Sequence, residues 1–561
     1  FVNTAVFYAI IWGSTGLILG LLGRASGRLF RRIDGPALGA LLLSLITLVL
    51  VGGYVNIMFL PSMFSPLSLA MDLLILGCAA LLWYVLQAAW RLAARRAAAR
   101  RGGRAPLTVA TVIVVAALVA IGVAPVSEVA TIPFETGDHI EGRNVLLIVV
   151  DALRADHLGC YGYERPTSPN VDRLAAEGLL FTRAYAQGSR TKETTASLFT
   201  SYYASTHGVT DFSSVLPLSS PTMMEIARSS GYRTAVISAN SLVSPTFGFG
   251  RGVDFFYCDA PSAVGRTVVM EMARNVGFRG GFMRWLPGAL RSLDALLPMP
   301  DRVYPFRGGD PRVMNETFLS WLDEDPERDF FAYLHYMDSH APYAPPSPYD
   351  TMYDPGYRGE PMVSVPVFPG SMLPFDRAEA LPDDEHRNLV AHYDGAITYF
   401  DHELGRLLDE LEARGLTEDT LIIIVSDHGE EFYDHGGWGH GQSVYEELIR
   451  VPLILSMRGT LPEGLRIGAT VRQVDLLPTL LGAVGVEETL EAADFDGVNL
   501  WEFLLSGRSD CPDPPVLAEV FHGHQYSRAF RDGRHKLVHA RSAEGERFML
   551  FDLSEDPGET R

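Results

Sequence analysis

The chain has 561 residues, with 67 acidic against 46 basic side chains and a formal net charge of −21. That balance excludes a polyanion such as nucleic acid as partner, and the length exceeds what one domain needs. Beyond residue 126 the only cysteines are Cys160, Cys258 and Cys511, which excludes a disulfide scaffold and a cysteine-rich zinc module.

The first 126 residues are apolar in blocks. Residues 1–23, 35–60 and 105–126 carry no charge, and 67–90 carries only Asp72. About 20 apolar residues at ~1.5 Å rise cross the hydrocarbon of a bilayer, so four membrane spans are expected, with Asp72 near an interface. Arg24, Arg28, Arg31 and Arg32 fill the loop after the first block, and Arg91, Arg95, Arg96, Arg100, Arg101 and Arg104 fill the loop after the third. The positive-inside tendency puts both loops in the cytoplasm and everything after 126 on the extracytoplasmic side of an inner or plasma membrane. Because the chain opens on Phe1, an earlier segment and a fifth span are expected too. The expected division is a transmembrane domain over 1–126, a linker over 127–143, a catalytic domain over 144–510 and a C-terminal subdomain over 511–561 whose pattern continues past the last residue.

NVLLIVVD (144–151) is a continuous apolar, β-branched run ending in Asp, the pattern of a strand buried on both faces of a parallel sheet. GSRTKETTASLFTS (188–201) reads as a hydroxyl-rich loop entering an apolar helix. RTAVISAN (233–240) and FFAYLHYMDSH (330–340) are further strands. Residues 286–375 are otherwise rich in Pro and Gly, an insertion shaping a substrate mouth, with a short helical stretch before the 330 strand. Residues 393–415 carry Ile397, Phe400, Leu404, Leu407, Leu408 and Leu411 at helical spacing, with Gly415 as the stop. TLIIIVSDHG (420–429) repeats the strand-then-Asp pattern, and 528–561 reads as short hairpin strands. Strands alternating with helices predict an α/β sandwich. Ligands in such folds gather beyond the carboxyl ends of the strands. Asp151, Asn240, His340, Asp427 and His428 stand at such ends.

Two aspartates and an imidazole from distant strand ends make a divalent-metal site. Those donors suit Zn, Mn or Fe, whereas Ca prefers oxygens alone. SDHGEEFYDHGGWGHGQSVYEE (426–447) adds Glu430, Asp434, His435 and His440 in a short Gly-rich stretch.

Taken in order, the 144–181 segment, ASLFTSYYASTHGV, GYRTAVISAN, FFAYLHYMDSHAPYAPP, YDGAITYFDHELGRLL, IIIVSDHGEEFYDHG, YEELIRVPLIL and the closing RAFRDGRHKLV…MLFDLSEDPGET carry a resemblance. From about 144 to 561 the chain resembles the sulfatase family of the alkaline phosphatase superfamily. The resemblance implies an alkaline-phosphatase-like α/β sandwich with a small C-terminal antiparallel sheet. It implies Asp151, Asp427 and His428 as metal ligands, one divalent ion (Zn, Mn or Ca) as cofactor, and His340 and His440 near the leaving oxygen. Aligning ASLFTS backward places Thr191 at the nucleophile, also a metal ligand, with Ser189, Thr194 and Thr195 as the other hydroxyls, shaping the loop and capping the helix. Lys192, Asn240 and His435 are the expected substrate contacts. Family members with Thr at that position include lipoteichoic acid synthases and phosphoethanolamine transferases, which also carry membrane anchors.

The departures bear on chemistry. The C/S-x-P-S-R sequence that true sulfatases oxidise to formylglycine reads TKETT here, and a Thr side chain would oxidise to a ketone, not an aldehyde. Ala152 replaces the second acid of the usual pair, and ISAN stands where the family's G-K-x-H sulfate contact would be. The expected activity is therefore cleavage or transfer of phosphate (or sulfate) esters by a Thr nucleophile, on lipid head groups or envelope glycans at the bilayer. The alternatives are a sulfuric ester hydrolase with an atypical nucleophile and a non-catalytic envelope protein.

Overall fold

A computed structural model describes residues 142–212, 214–258, 309–364, 379–486, 494–508, 513–523, 525–542 and 544–561. All belong to one compact unit that runs from Phe134 to Arg561. The four apolar blocks, the linker as far as 141, and the boundary at 510/511 lie outside the described residues, as do parts of the 286–375 insertion. Among the described residues no helix is long and apolar enough to cross a membrane.

The predicted strand at 144 is β1, Asn144–Val150, buried at every position. Side chains alternate across a strand, so Val145, Leu147 and Val149 enter one core and Leu146, Ile148 and Val150 the other. Both faces are covered, which is why the segment reads as unbroken apolar sequence. β1 lies between β5 (Phe330–Tyr336) and β6 (Thr420–Val425), parallel to both. β3 (Arg233–Ser238) runs parallel outside β5, followed by β4 (Phe255–Cys258). On the other side β7 (Leu453–Ser456) is antiparallel to β6 and to β2 (Leu179–Tyr185), and β8 (Leu465–Arg472) closes that edge parallel to β2. The parallel block β3-β5-β1-β6 brings four carboxyl ends to one edge of the sheet.

Helices cover both faces. α2 (Thr191–Thr200), α3 (Met223–Ser229) and α6 (Leu476–Ala483) contribute to the first core. The second holds α1 (Pro169–Ala176), α4 (Pro311–Glu324) and α5 (Asp383–Ala413). α5 is 31 residues long and starts well before the expected 393. Its first turn holds Asp383, Asp384 and Glu385, whose charges favour a helix N-terminus although they carry no apolar signal. Gly415 stops it as the sequence indicated, at φ +71°.

The C-terminal hairpins form a second sheet, β9 (Val516–His522), β10 (Gln525–Asp532), β11 (His535–Ser542) and β12 (Gly545–Asp552), antiparallel throughout. Its inner face, with Val516, Ala518, Val520, Ala529, Val538 and Phe551, packs on Tyr185, Val444, Leu448 and Ile449. The small sheet thus backs the segment that follows β6.

Candidate active site

Asp151 and Asp427 leave adjacent parallel strands, so their side chains meet beyond the sheet edge. The turns are tied together. Asp151 N–H donates to the Tyr336 carbonyl (2.9 Å), and Ser426 Oγ donates to the Val150 carbonyl (2.6 Å). Ala152 sits at φ +60° and donates its N–H to Asp427 Oδ1 (3.2 Å). His428 Nδ1 faces the Gly429 carbonyl at 2.9 Å, which puts its hydrogen there and leaves Nε2 as a lone pair. That nitrogen lies 3.6 Å from Asp151 Oδ1 and 3.5 Å from Asp427 Oδ2. The ligand atoms of the three residues lie within 4.8 Å of one another. Thr191 Oγ1, at the first residue of α2, completes the group at 3.3 Å from His428 Nε2 and 3.4 Å from Asp151 Oδ2.

Two buried oxygens here, Asp151 Oδ1 and Asp427 Oδ2, have no hydrogen-bond partner. An orphaned buried carboxylate oxygen is costly. Burial would raise Asp151, but the imidazoles around it and the hydrogen bond from His335 hold it well below the carboxylate range. Asp427 is pushed well up, by burial and then by Asp151. Burial and His440 keep His428 neutral. Two facing carboxylates, a neutral imidazole lone pair and a hydroxyl are a donor set that fits one divalent cation.

A third imidazole overlooks this group. The His440 ring is 4.3 Å from that of His428 and 4.8 Å from that of His340. His440 Nδ1 lies 2.9 Å from Glu430 Oε1, and Tyr343 Oη donates to Glu430 Oε2 at 2.9 Å. Burial works against a charged His440, but the Glu430 carboxylate outweighs it, so the ring titrates above an ordinary histidine. His340 Nδ1 is taken by the Ala341 carbonyl at 2.6 Å. The constellation can hold a metal, present a hydroxyl nucleophile and deliver a proton from His440.

The sulfatase family profile matches residues 143–486, more than half the chain. The chain belongs to the sulfatase family. Relatives of this sulfatase-family enzyme include a Trinickia caryophylli protein described as the multifunctional alkaline phosphatase superfamily protein PehA. It is 30% identical over 407 residues, covering 65% of this chain and 78% of that protein. The arylsulfatase of Clostridium perfringens is 26% identical over 457 residues, covering 74% and 89%. Among solved structures, the phosphonate monoester hydrolase of Agrobacterium radiobacter superposes with a TM-score of 0.56 at 22% identity, over 74% of this chain and 90% of that one. The latter likeness speaks to the fold: an alkaline-phosphatase-like α/β sandwich with a C-terminal antiparallel sheet.

In this sulfatase-family chain several expected substrate contacts are engaged elsewhere. Asn240 Nδ2 donates to Asp151 Oδ2 (2.7 Å) and its Oδ1 accepts from Leu242 N–H (2.9 Å), so it holds the carboxylate. Lys192 turns into the core, where Nζ donates to the Phe212 carbonyl (2.8 Å) and sits 3.5 Å from the Phe247 ring centroid. Burial lowers its pKa to about 7. His435 is a clasp: Nδ1 meets Glu447 at 2.8 Å, Nε2 meets the Gly558 carbonyl at 3.1 Å, and the ring stacks on Tyr445 at 3.7 Å. Asp434 pairs with Arg154. The expected helix capping is also corrected. The N-cap is Arg190, without a side-chain cap; Ser189 Oγ donates to the Ser443 carbonyl (2.6 Å) and Thr194 Oγ1 back to the Arg190 carbonyl (2.9 Å).

His335 escaped sequence reasoning. It is fully buried with Nε2 at 3.2 Å from Asp151 Oδ2. The one available signal was an imidazole inside an otherwise apolar strand.

Proposed function

We propose that this chain is a membrane-anchored, metal-dependent enzyme that cleaves or transfers phosphate or sulfate esters outside the cytoplasm, with Thr191 as nucleophile. The observation that carries this reading is the position of Thr191 Oγ1 against His428 Nε2 and Asp151, at the N-terminus of a helix whose ten residues are all buried. The helix dipole there favours an anionic substrate. The anchoring rests on the four apolar blocks before residue 126.

Asp151, Asp427, His428 and Thr191 would hold the cation, which when bound would lower the hydroxyl pKa and offset charge on the transferred group. Thr191 Oγ1 forms the bond to phosphorus or sulfur as the bond to the leaving oxygen breaks. His440, whose protonated form the Glu430 carboxylate favours, gives its proton to that oxygen. It then takes one from water or an acceptor hydroxyl that displaces Thr191 and restores the enzyme. His340, whose ring lies 4.8 Å from that of His440, leaves Nε2 free of its Nδ1 contact with the Ala341 carbonyl. A Thr nucleophile cannot supply the aldehyde hydrate of formylglycine enzymes, which favours phosphoryl transfer. The names of the relatives keep sulfate esters as the second reading.

The test is peptide mapping after incubation with phospholipid and, separately, an aryl sulfate. A phosphoryl mass increase on the Thr191 peptide is expected, absent in Thr191→Ala together with a roughly 10³-fold or larger loss of turnover. Sulfate release with no phosphoryl adduct from any phospholipid would establish the second reading. Full activity in Thr191→Ala would exclude the nucleophile.

A further inference from the structure

The two carboxylates of the site are built alike. Each has one oxygen saturated by N–H donors and one left open. Asp427 Oδ1 accepts from the backbone N–H of His428 (2.9 Å) and Ala152 (3.2 Å), while Oδ2 has no hydrogen-bond partner. Asp151 Oδ2 accepts from Asn240 Nδ2 (2.7 Å), faces His335 Nε2 (3.2 Å) and lies 3.4 Å from Thr191 Oγ1, while Oδ1 has no hydrogen-bond partner. In the first case the donors are main chain and come with the turns. In the second they are side chains, and one belongs to a longer arrangement. Tyr333 Oη lies 2.7 Å from His335 Nδ1. A phenol donating to Nδ1 puts the ring hydrogen on Nε2, where it points at Asp151. Tyr333 and His335 are two apart on β5 and so face the same way. Both are 0% exposed, out of reach of substrate. The Tyr333 ring also packs edge-on against Phe199 of α2 at 4.9 Å, the helix that carries Thr191. A buried phenol–imidazole pair inside a strand costs folding free energy unless its hydrogen bonds are completed, and here Asp151 completes them.

We propose that Tyr333 and His335 are positioning residues that lock Asp151 as a one-oxygen metal ligand. With Asp427 locked the same way, the protein offers a cation two carboxylate oxygens, one imidazole and one hydroxyl, all fixed. Ca²⁺ takes six to eight oxygens and commonly uses bidentate carboxylates, so the arrangement disfavours it. A first-row divalent ion satisfied by few, well-placed donors fits. The inference rests on the reading of the Asp151 group as a metal site and names what sets its selectivity.

The experiment uses the full chain in detergent, stripped of metal. The affinities for Mn²⁺ and Ca²⁺ are measured by competition with a chelating dye, with the melting temperature of the stripped protein as the check on folding. In wild type, Mn²⁺ binds at one site and tighter than Ca²⁺. His335→Ala is expected to weaken Mn²⁺ by about 10–100-fold, with a smaller loss for Ca²⁺, so that the preference narrows. His335→Gln keeps an N–H donor and is expected to recover most of the loss. Tyr333→Phe is expected to lose less than His335→Ala and to add little in the double variant, since it acts through His335. Wild-type Mn²⁺ affinity in a folded His335→Ala protein overturns the proposal, as does a Tyr333→Phe loss that adds in full. If His335→Ala does not fold, His335→Gln and Tyr333→Phe decide it, an unchanged preference in Tyr333→Phe counting against. Failure of the metal site itself reads differently: wild type then binds neither ion, and Asp427→Asn is indistinguishable from it.

Discussion

At the residue scale the site separates groups that meet the reacting atoms from groups that hold them. Glu430 is of the second kind. It is fully buried and receives Tyr343 on one oxygen and His440 on the other. Its carboxylate is what favours the protonated ring, so Glu430→Gln should cost turnover most where the leaving oxygen needs a proton. We expect roughly a 10–100-fold fall in kcat for an alkyl ester and a much smaller one for a nitrophenyl ester, whose leaving group departs as an anion. Equal losses for both esters would assign Glu430 to structure alone. The two aspartates that meet at the sheet edge were legible in sequence because Asp151 and Asp427 each close an apolar run, and a charged group in that place has no packing role. Lys192 and His435 were misjudged because proximity along the chain does not fix direction. Lys192 is the residue after Thr191, yet the turn of α2 sends its side chain into the core.

At the scale of elements, the strands were readable because burial on both faces demands unbroken Val, Ile and Leu. The start of α2 was not readable. Thr and Ser report no apolar face, and all ten residues are buried by what surrounds them: the short helix at Ala204–His207, the turn at Gln473–Asp475, α3 and α6, while the segment after β6 is backed by the C-terminal sheet. That sheet is joined to the post-β6 segment by His435, Glu447, Glu559, Glu446 and Lys536. Lys536 Nζ lies 2.8 Å from Glu559 and 3.1 Å from Glu446. Burial opposes the charged form of His435, but Glu447, then Glu559 and Glu431, raise its pKa to about 9. An unfolded histidine titrates near ~6.5. The folded value is the higher one, so the contribution to stability is complete below about 6.5 and is lost as pH rises through about 9. The difference in melting temperature between wild type and His435→Ala should therefore be largest near pH 6 and shrink towards pH 9.5. A difference that stays constant would reduce the clasp to the stacking on Tyr445.

At the scale of the whole molecule, the sequence divides by composition. Four apolar blocks within the first 126 residues alternate with loops that concentrate ten arginines, and the acidic, metal-site-bearing remainder follows a short stretch at 127–143. Arginine at the centre of a hydrocarbon layer costs about 2.5–3.5 kcal/mol per residue on insertion scales, so in the proposed anchoring neither arginine loop would cross, and the two apolar blocks between them would leave both on one side of the bilayer. In the anchoring proposed above, the single block at 105–126 would make one crossing after the second arginine loop, and the proposed catalytic residues would then come out opposite the arginines. The full chain should then sediment with membranes, resist extraction by alkaline carbonate and high salt, and yield only to detergent. In intact cells stripped of any outer barrier, added protease should cut within 127–143 and release a fragment carrying Thr191 and Asp427, while a cytoplasmic marker protein survives. Release by salt would mean that the apolar blocks do not span. Protection of the fragment until the membrane is opened would mean that the arginine loops face outward and the chemistry is cytoplasmic.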